Sequence, residues 1–395
     1  MDKGIVSGGK PRICMLTTRS FALNAWRCGF YEGQDVLLEV DDVDLLPLMP
    51  GKAYRLREAF QRDLIWHDFT RKAVSINMAY RPIRLAKEYD LFIAFVQQPR
   101  DLIHVPAVQG WKDYCRTSIC WIEEFWATNI PKPESWISAL SQFDYVAIGL
   151  KGTVKAASEA LNRTCHWVPS AVDAIRFSPY PSPPDRVIDI YSIGPIWEGL
   201  HRTFLGMAAE KNLFYVYDTF HATDAQVKDH RQHRMMFADM AKRSRYFIVA
   251  PAKAYKPEET KGQIEVGMRY YEASSAGAVM LGQAPNCDSF KTMFDWPDAV
   301  IEVKPDGSDV TDVLSSLAAQ PERLAEISRR NAVEALLRHD WVYRWETILR
   351  IAGLEPTLEL LKRKERLETL SKMIETESSN PKFEGGQFFK AHKRP

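Results

Sequence analysis

Glu265, Arg269 and Glu272 stand four and three residues apart in the stretch EVGMRYYEASSAG (265–277), so a basic side chain is flanked by two carboxylates. On a helix, positions i, i+4 and i+7 share one face. Such a trio can be a surface salt bridge worth only about 0.3–0.5 kcal/mol. It can also be a ligand site. A guanidinium suits phosphate, and the two oxygens of a carboxylate can accept hydrogen bonds from both hydroxyls of a vicinal diol. The neighbours favour the second reading: Gly267 comes before, Ala273, Ser274, Ser275 and Ala276 follow, and Gly277 ends the helix before an apolar strand. A helix with so small a face packs close to a sheet and turns its polar N-terminal side toward a cleft.

Further candidates lie elsewhere. In SIGPIWEGLHRTFL (192–205) a strand runs through Gly194 into a helix that carries Arg202. A glycine between strand and helix lets backbone approach phosphate, with the arginine adding charge; alternatively Gly194 only ends a strand and Arg202 is a surface residue. His104 follows the apolar run DLFIAFV (90–96), and Glu123 and Glu124 follow TSICWI (117–122), so all three are candidate bases or orienting groups at strand ends. His230 and His233 with Asp229 could be read as metal ligands, but a solvated helix face accounts for them better. His339 reads as a packed histidine of the C-terminal helices. Cys115 and Cys120 are separated by four residues, not the two of a zinc knuckle. Free thiols in a reducing cytoplasm account for all six cysteines.

These residues need strands and helices to hold them. Apolar runs at 12–18, 35–40, 90–96, 117–122 and 144–150 read as strands, with helices over 21–31, 53–77 and 152–161. Five prolines in the twenty-one residues 166–186 mark a connector. Strand–helix alternation then restarts, with strands at 187–194, 213–220, 245–251 and 299–303, and helices near 199–211 and 225–243. Beyond 308 the pattern is helical, and from about 378 it loses all periodicity. The expected fold class is α/β, two Rossmann-like doubly wound domains facing a cleft, with C-terminal helices. The boundaries are 1–168 for the first domain, 169–186 for the linker, 187–350 for the second domain, 351–377 for a helical extension and 378–395 for a mobile tail.

At 395 residues, 46% of them hydrophobic and 26% charged, the chain is long enough for two cores. A net charge of +1 gives no ground for nucleic acid as partner. Residues 51–100 nevertheless hold ten Lys/Arg against five Asp/Glu, interleaved with Tyr54, Phe60, Trp66, Phe69 and Tyr80. That is either a solvated helical face or a surface facing anionic lipid or an acidic acceptor. No apolar run reaches the ~18–20 residues of a membrane span, and the N-terminus lacks the apolar core of a signal peptide. A cytoplasmic protein, peripheral to the membrane at most, is expected.

EASSAG resembles the Glu-Ala-x-Ala-x-Gly signature of GT-B glycosyltransferases of the group-1/family-4 type. Gly267 stands five residues before Glu272, as the loop glycine does in that family's Glu-x-Phe-Gly-x-x-x-x-Glu motif, and the Arg-x-x-Glu-Ala form is similar to the CgeB-like variant branch. GQDV (33–36) stands where such enzymes often have Gly-His-Glu-Val. VPSAVDAIRFSP (168–179) resembles the Val-Pro-x-Gly-Val-Asp-x-x-x-Phe-x-Pro linker, and HDWVYRWETIL (339–349) is similar to the His-x-Trp-x-x-Arg helix. The similarity is good over roughly 165–350 and topological before that. It implies transfer of a hexose-type sugar, with retention and without a metal, from a nucleotide-diphospho-sugar of UDP or GDP type. The acceptor would be a glycan, lipid-linked or small-molecule compound bound by the first domain. Glu272 would sit on the ribose, Arg202 and Arg269 on the diphosphate, and Gly194, Gly267 and Glu265 would complete the donor site, with His104 or Glu124 as the catalytic group opposite. Two departures stand out: six residues, not seven, separate Glu265 from Glu272, and TTRSFALN (17–24) replaces the glycine-rich first loop. They motivate a second expectation, a GT-B-shaped nucleotide or sugar binder without turnover. A dinucleotide oxidoreductase is disfavoured, since neither first turn carries Gly-x-Gly-x-x-Gly.

Overall fold

The computed structural model describes residues 11–51, 80–130, 134–194, 197–210, 213–219 and 225–376. The helix expected over 53–77, with Tyr54, Phe60, Trp66 and Phe69, and the tail from 378 lie outside those residues. The chain divides into two compact units, Met1–Ser170 with Arg344–Lys362 and Ala171–Tyr343 with Arg363–Pro395.

In the first unit the strands are β1 (Ile13–Thr17), β2 (Val43–Pro47), β3 (Ile83–Arg84), β4 (Tyr89–Val96), β5 (Val108–Gln109), β6 (Cys115–Ile122), β7 (Tyr145–Ile148) and β8 (His166–Trp167). Six of them form one parallel sheet in the order β2-β1-β4-β6-β7-β8, while β3 and β5 pair separately. β1 and most of β4 and β6 are buried on both faces, so their sequences are unbroken apolar runs. One strand reading fails. DVLLEV (35–40) is the second half of helix α1 (Cys28–Val40), and the strand is Val43–Pro47. The helix is buried almost all round, from Cys28 to Gln34 and again at Val36, Leu37 and Val40, so no polar stripe marks its period. Gly33 lies inside the helix, and its carbonyl accepts a hydrogen bond from Trp345 Nε1 at 2.8 Å in the core.

The second unit carries β9 (Ile188–Ser192), β10 (Tyr215–Tyr217), β11 (Ser244–Val249), β12 (Val279–Gly282) and β13 (Ile301–Glu302). They form a parallel sheet in the order β10-β9-β11-β12-β13. The order reverses between β9 and β11, and ligands of open α/β sheets bind at the carboxyl ends of the strands beside such a switch. Helices α2 (Glu198–Ala209), α3 (His230–Lys242) and α4 (Met268–Ser275) follow β9, β10 and β11 in turn. Three more helices end the described chain: α5 (Pro321–Arg338), α6 (Trp341–Ile351) and α7 (Leu358–Thr376). From α7, Arg363 bonds Asp173 at 2.7 Å and Asp340 at 2.8 and 2.9 Å, all three buried.

Small residues let α4 lie between the sheet and α5. Ala273, Ser274, Ser275 and Ala276 are fully buried, and Gly277, in the left-handed region at φ +60°, closes the helix with Gly277 N–H on Ser274 O and Ala278 N–H on Ala273 O. The carbonyl of Gly277 accepts from Ser328 Oγ at 2.6 Å and Arg186 Nη2 at 2.8 Å, and that of Ala278 accepts from Asn331 Nδ2 at 2.9 Å. A Cβ on Gly277 would stand 3.0 Å from the backbone oxygen of Ser328. Gly277→Ala is expected to cost about 1–3 kcal/mol in urea unfolding. Gly206→Ala, in α2 with open space around it, is expected to gain up to about 1 kcal/mol.

Candidate functional site

The site is built at the carboxyl edge of the second sheet. Glu272, on the second turn of α4, is 1% exposed and both its oxygens are taken. Arg234 Nη1, from the second turn of α3, donates to Oε1 at 2.5 Å, and Arg269 Nη1, one turn before Glu272, donates to Oε2. The two guanidiniums differ in access: the Arg234 side chain is 3% exposed and that of Arg269 31%. Arg234 lies over Phe177 and Phe237 with its central carbon 4.7 and 5.2 Å from the ring centres, and Arg269 lies over Phe237 at 5.0 Å. Burial alone would raise the Glu272 carboxyl, but Arg269 and Arg234 outweigh it and hold the group below the ordinary glutamate range.

Arg269 ties this pair to the strand end. Its Nε donates to Ile193 O at 3.2 Å, and Nη2 has no hydrogen-bond partner among the described residues. Gly194, at φ +86°, is the neighbour: a Cβ there would stand 3.8 Å from Arg269 Nη2. The Gly194 N–H is bonded to Asp218 Oδ2 at 2.9 Å, just past β10. Gly267 lies before α4 against the end of β11, where a Cβ would come within 3.1 Å of Ala250 O. Tyr191 and His233 complete the surroundings. Burial pushes the Tyr191 hydroxyl up, with Glu272 and Asp218 adding to the rise and Arg269 opposing it. Burial, then Arg234 and Arg269, push the His233 imidazole down against the pull of Glu272, which leaves it neutral at pH 7.

The structure thus brings Gly194, Gly267, Arg269 and Glu272 together at the β9 and β11 ends. Two expected members behave differently. Glu265 does not share a helical face with Arg269 and Glu272, because α4 begins only at Met268. It lies buried in the extended segment before the helix, with its carbonyl taken by Ala252 N–H and its carboxylate by Gln263 Nε2 at 2.7 Å and Ser289 Oγ at 3.5 Å. Arg202 is 73% exposed on α2 and pairs with Glu198 one turn away at 3.7 Å. Arg234, His233 and Asp218 were not read as site residues. Arg234 carried a signal: with Phe237, Ala238 and Ala241 at i+3, i+4 and i+7, it is an arginine on the apolar face of its helix, which requires a buried partner. The face holding His230 and His233 is accordingly not simply solvated, since His230 is buried and His233 faces the guanidiniums. Asp229 caps α3 through Arg231 N–H and Gln232 N–H. Among the described residues no group of three or more His, Cys, Asp or Glu is placed to hold a metal ion. All six cysteines are free thiols.

In the first unit His104, Glu123 and Glu124 also stand at the carboxyl edge. His104 is buried, edge-on to Tyr80 and Phe21, with Nε2 3.8 Å from Asp101. Asp101 is bonded by both terminal nitrogens of Arg27 at 2.8 and 2.9 Å; burial would raise its carboxyl, and Arg27 draws it down to about 2. These groups line a cavity of about 10 Å³, room for one water at most. Glu123 accepts from Ser170 Oγ at 2.9 Å, and Glu124 from Trp126 Nε1 at 2.9 Å and Gln98 Nε2 at 3.2 Å.

The two α/β units carry the GT-B glycosyltransferase fold expected from the sequence. Residues 198–350, less than half of the chain, match a family model described as glycosyl transferase-like. Alr3699/HepE of Anabaena, solved in complex with UDP and glucose, is similar at 12% identity and a TM-score of 0.51, covering 87% of this chain and 100% of its own. An alpha-glucosyltransferase solved with UDP-glucose and DNA containing an abasic site is similar at 10% identity and a TM-score of 0.53, again over 87% and 100%. No curated protein matches the chain. No helix among the described residues is long and apolar enough to cross a membrane.

The depressed Glu272 carboxyl makes stability depend on pH with a definite sign. Its contribution is complete above the ordinary glutamate value of about 4.3 and is lost as pH falls through the lower folded value. Glu272→Gln should therefore be less stable than wild type at pH 7 by about 3 kcal/mol. In urea titrations that gap should narrow as the pH is taken below about 4; a gap independent of pH would show that the ion pairs contribute nothing.

Proposed function

We propose that this chain is a glycosyltransferase that moves a sugar from a nucleotide-diphospho-sugar to an acceptor hydroxyl, with the donor bound in the second unit. The observation that carries this reading is Arg269. Its guanidinium is fixed by Glu272 and Ile193 O, and its remaining nitrogen, without a hydrogen-bond partner among the described residues, lies beside a glycine at the sheet's switch point. That is where a backbone and a planar cation can meet a diphosphate. The match of 198–350 to a glycosyl transferase-like family and the fold support it. The similar structures hold UDP with glucose, or UDP-glucose, which favours UDP over GDP here.

In the reaction the bond from the anomeric carbon to the phosphate oxygen breaks, and the acceptor oxygen forms the new bond with retention. The leaving diphosphate gathers negative charge, which Arg269, backed by the buried Arg234, stabilises in place of a metal ion. Gly194 and Gly267 keep both strand ends open to the ligand, and Glu265 holds the segment before α4 by its bonds to Ala252 and Ser289. Exposed Arg202 is left as a long-range cation. Of the first unit's two candidates to receive the acceptor proton, Glu124 is the one an acceptor could meet directly, since His104 is closed in beside a space for one water at most. The acceptor is a glycan, lipid-linked or small-molecule compound, and the reaction is cytoplasmic.

Calorimetric titration of UDP and GDP tests the donor site. Arg269→Ala should weaken UDP by roughly 10- to 100-fold, the worth of a charged hydrogen bond. Glu272→Ala should weaken it too, by freeing both guanidiniums. Unchanged affinity in both variants would remove the assignment. Turnover is separate: release of UDP from a panel of UDP-sugars with candidate acceptors, undiminished by EDTA, is the expected result. Binding without release would make the chain a nucleotide-sugar binder.

A further inference from the structure

We infer that Asp218, not Glu272, is the carboxylate that accepts hydrogen bonds from the ribose diol of the nucleotide. This inference rests on the nucleotide reading of the second unit. A carboxylate can serve a diol only if an oxygen is available and reachable. Glu272 meets neither condition, because it is 1% exposed and both oxygens are taken by guanidiniums. Releasing Oε2 would mean pulling Arg269 off a buried charge. Asp218 meets both conditions: it is half-buried, its Oδ2 accepts from Gly194 N–H at 2.9 Å, and Oδ1 has no partner among the described residues.

Its place in the fold points the same way. Gly194 follows the first strand of the unit, and Asp218 follows the second, 24 residues later. In doubly wound nucleotide-binding folds an acidic residue about 20 residues past the first-turn glycines takes the ribose hydroxyls. Here one hydrogen bond joins that acid to that glycine. The bond fixes the carboxylate next to the turn that would receive the phosphates, on the opposite side of β9 from α4. A diphosphate beside Arg269 and a ribose beside Asp218 keep the two negative groups, carboxylate and phosphate, on separate partners.

The experiment compares UDP with 2′-deoxy-UDP, and GDP with 2′-deoxy-GDP, by calorimetry on the full chain. Wild type should prefer the ribo form by about tenfold or more, the value of a hydrogen bond to a charged acceptor. Asp218→Ala should reduce that preference to about twofold or less while still binding the deoxy form. Asp218→Asn keeps an oxygen for the Gly194 N–H, so it checks that the turn itself is intact. Glu272→Gln should bind every nucleotide more weakly yet keep the ribo preference. A preference that survives in Asp218→Ala, or vanishes in Glu272→Gln alone, overturns the inference and leaves the donor site standing. Failure of all four nucleotides to bind wild type overturns the donor site itself.

Discussion

One carboxylate with two arginines organises the second unit. Removing three charges from water is costly, and a buried pair repays that cost only with close geometry and further bonds. Glu272 has that geometry, with one guanidinium on each oxygen. The neighbouring features serve the same end. Only a helix lined with Ala273, Ser274 and Ser275 comes near enough to the sheet to bury Glu272, and only a cation from α3 can balance it from the other side. The trio keeps a net positive charge, and its more exposed cation is Arg269, with an aromatic ring behind and a glycine in front.

The two carboxyl edges use their polar groups differently. In the first unit the charges are largely spent on each other: Arg27 grips Asp101 with two bonds, and Glu124 serves Trp126 and Gln98. His104 sits among rings in a space too small for anything larger than water. In the second unit Arg269 and Asp218 each keep one atom uncommitted among the described residues, on opposite sides of β9. A strand end with spare donors on one flank and a spare acceptor on the other is fitted to a ligand that is anionic at one end and hydroxylated at the other.

Much of this was legible in the residues. Strands of a parallel sheet covered on both faces are continuous apolar runs, which is why 90–96 and 117–122 stood out. The tapering tail of α4 announced close packing, and Arg269 and Glu272 three apart announced their pairing. What was hidden depends on contacts made across the chain. α1 lost its helical signature because nearly every side of it is buried, and its apolar second half passed for a strand. Glu265 has helical spacing to Arg269 but no helix beneath it. Asp218 lies 24 residues from the glycine that defines its role, and nothing in DTF (218–220) reveals that bond.

Arg363 has a consequence for the order in which the chain is made. Asp173 and Asp340 leave the ribosome first, and their shared cation follows 23 residues after the second of them. Until it arrives, Asp173 has Arg176 as a cation partner at 3.3 Å, and Asp340 accepts from the backbone N–H groups of Ala174 and Val342. Every strand of this unit's sheet precedes Arg363 in sequence, but Arg363 and the buried Leu367 and Ile374 of α7 follow. A chain that ends between 340 and 363 therefore carries every strand of the second sheet and lacks the cation that joins Asp173 to Asp340.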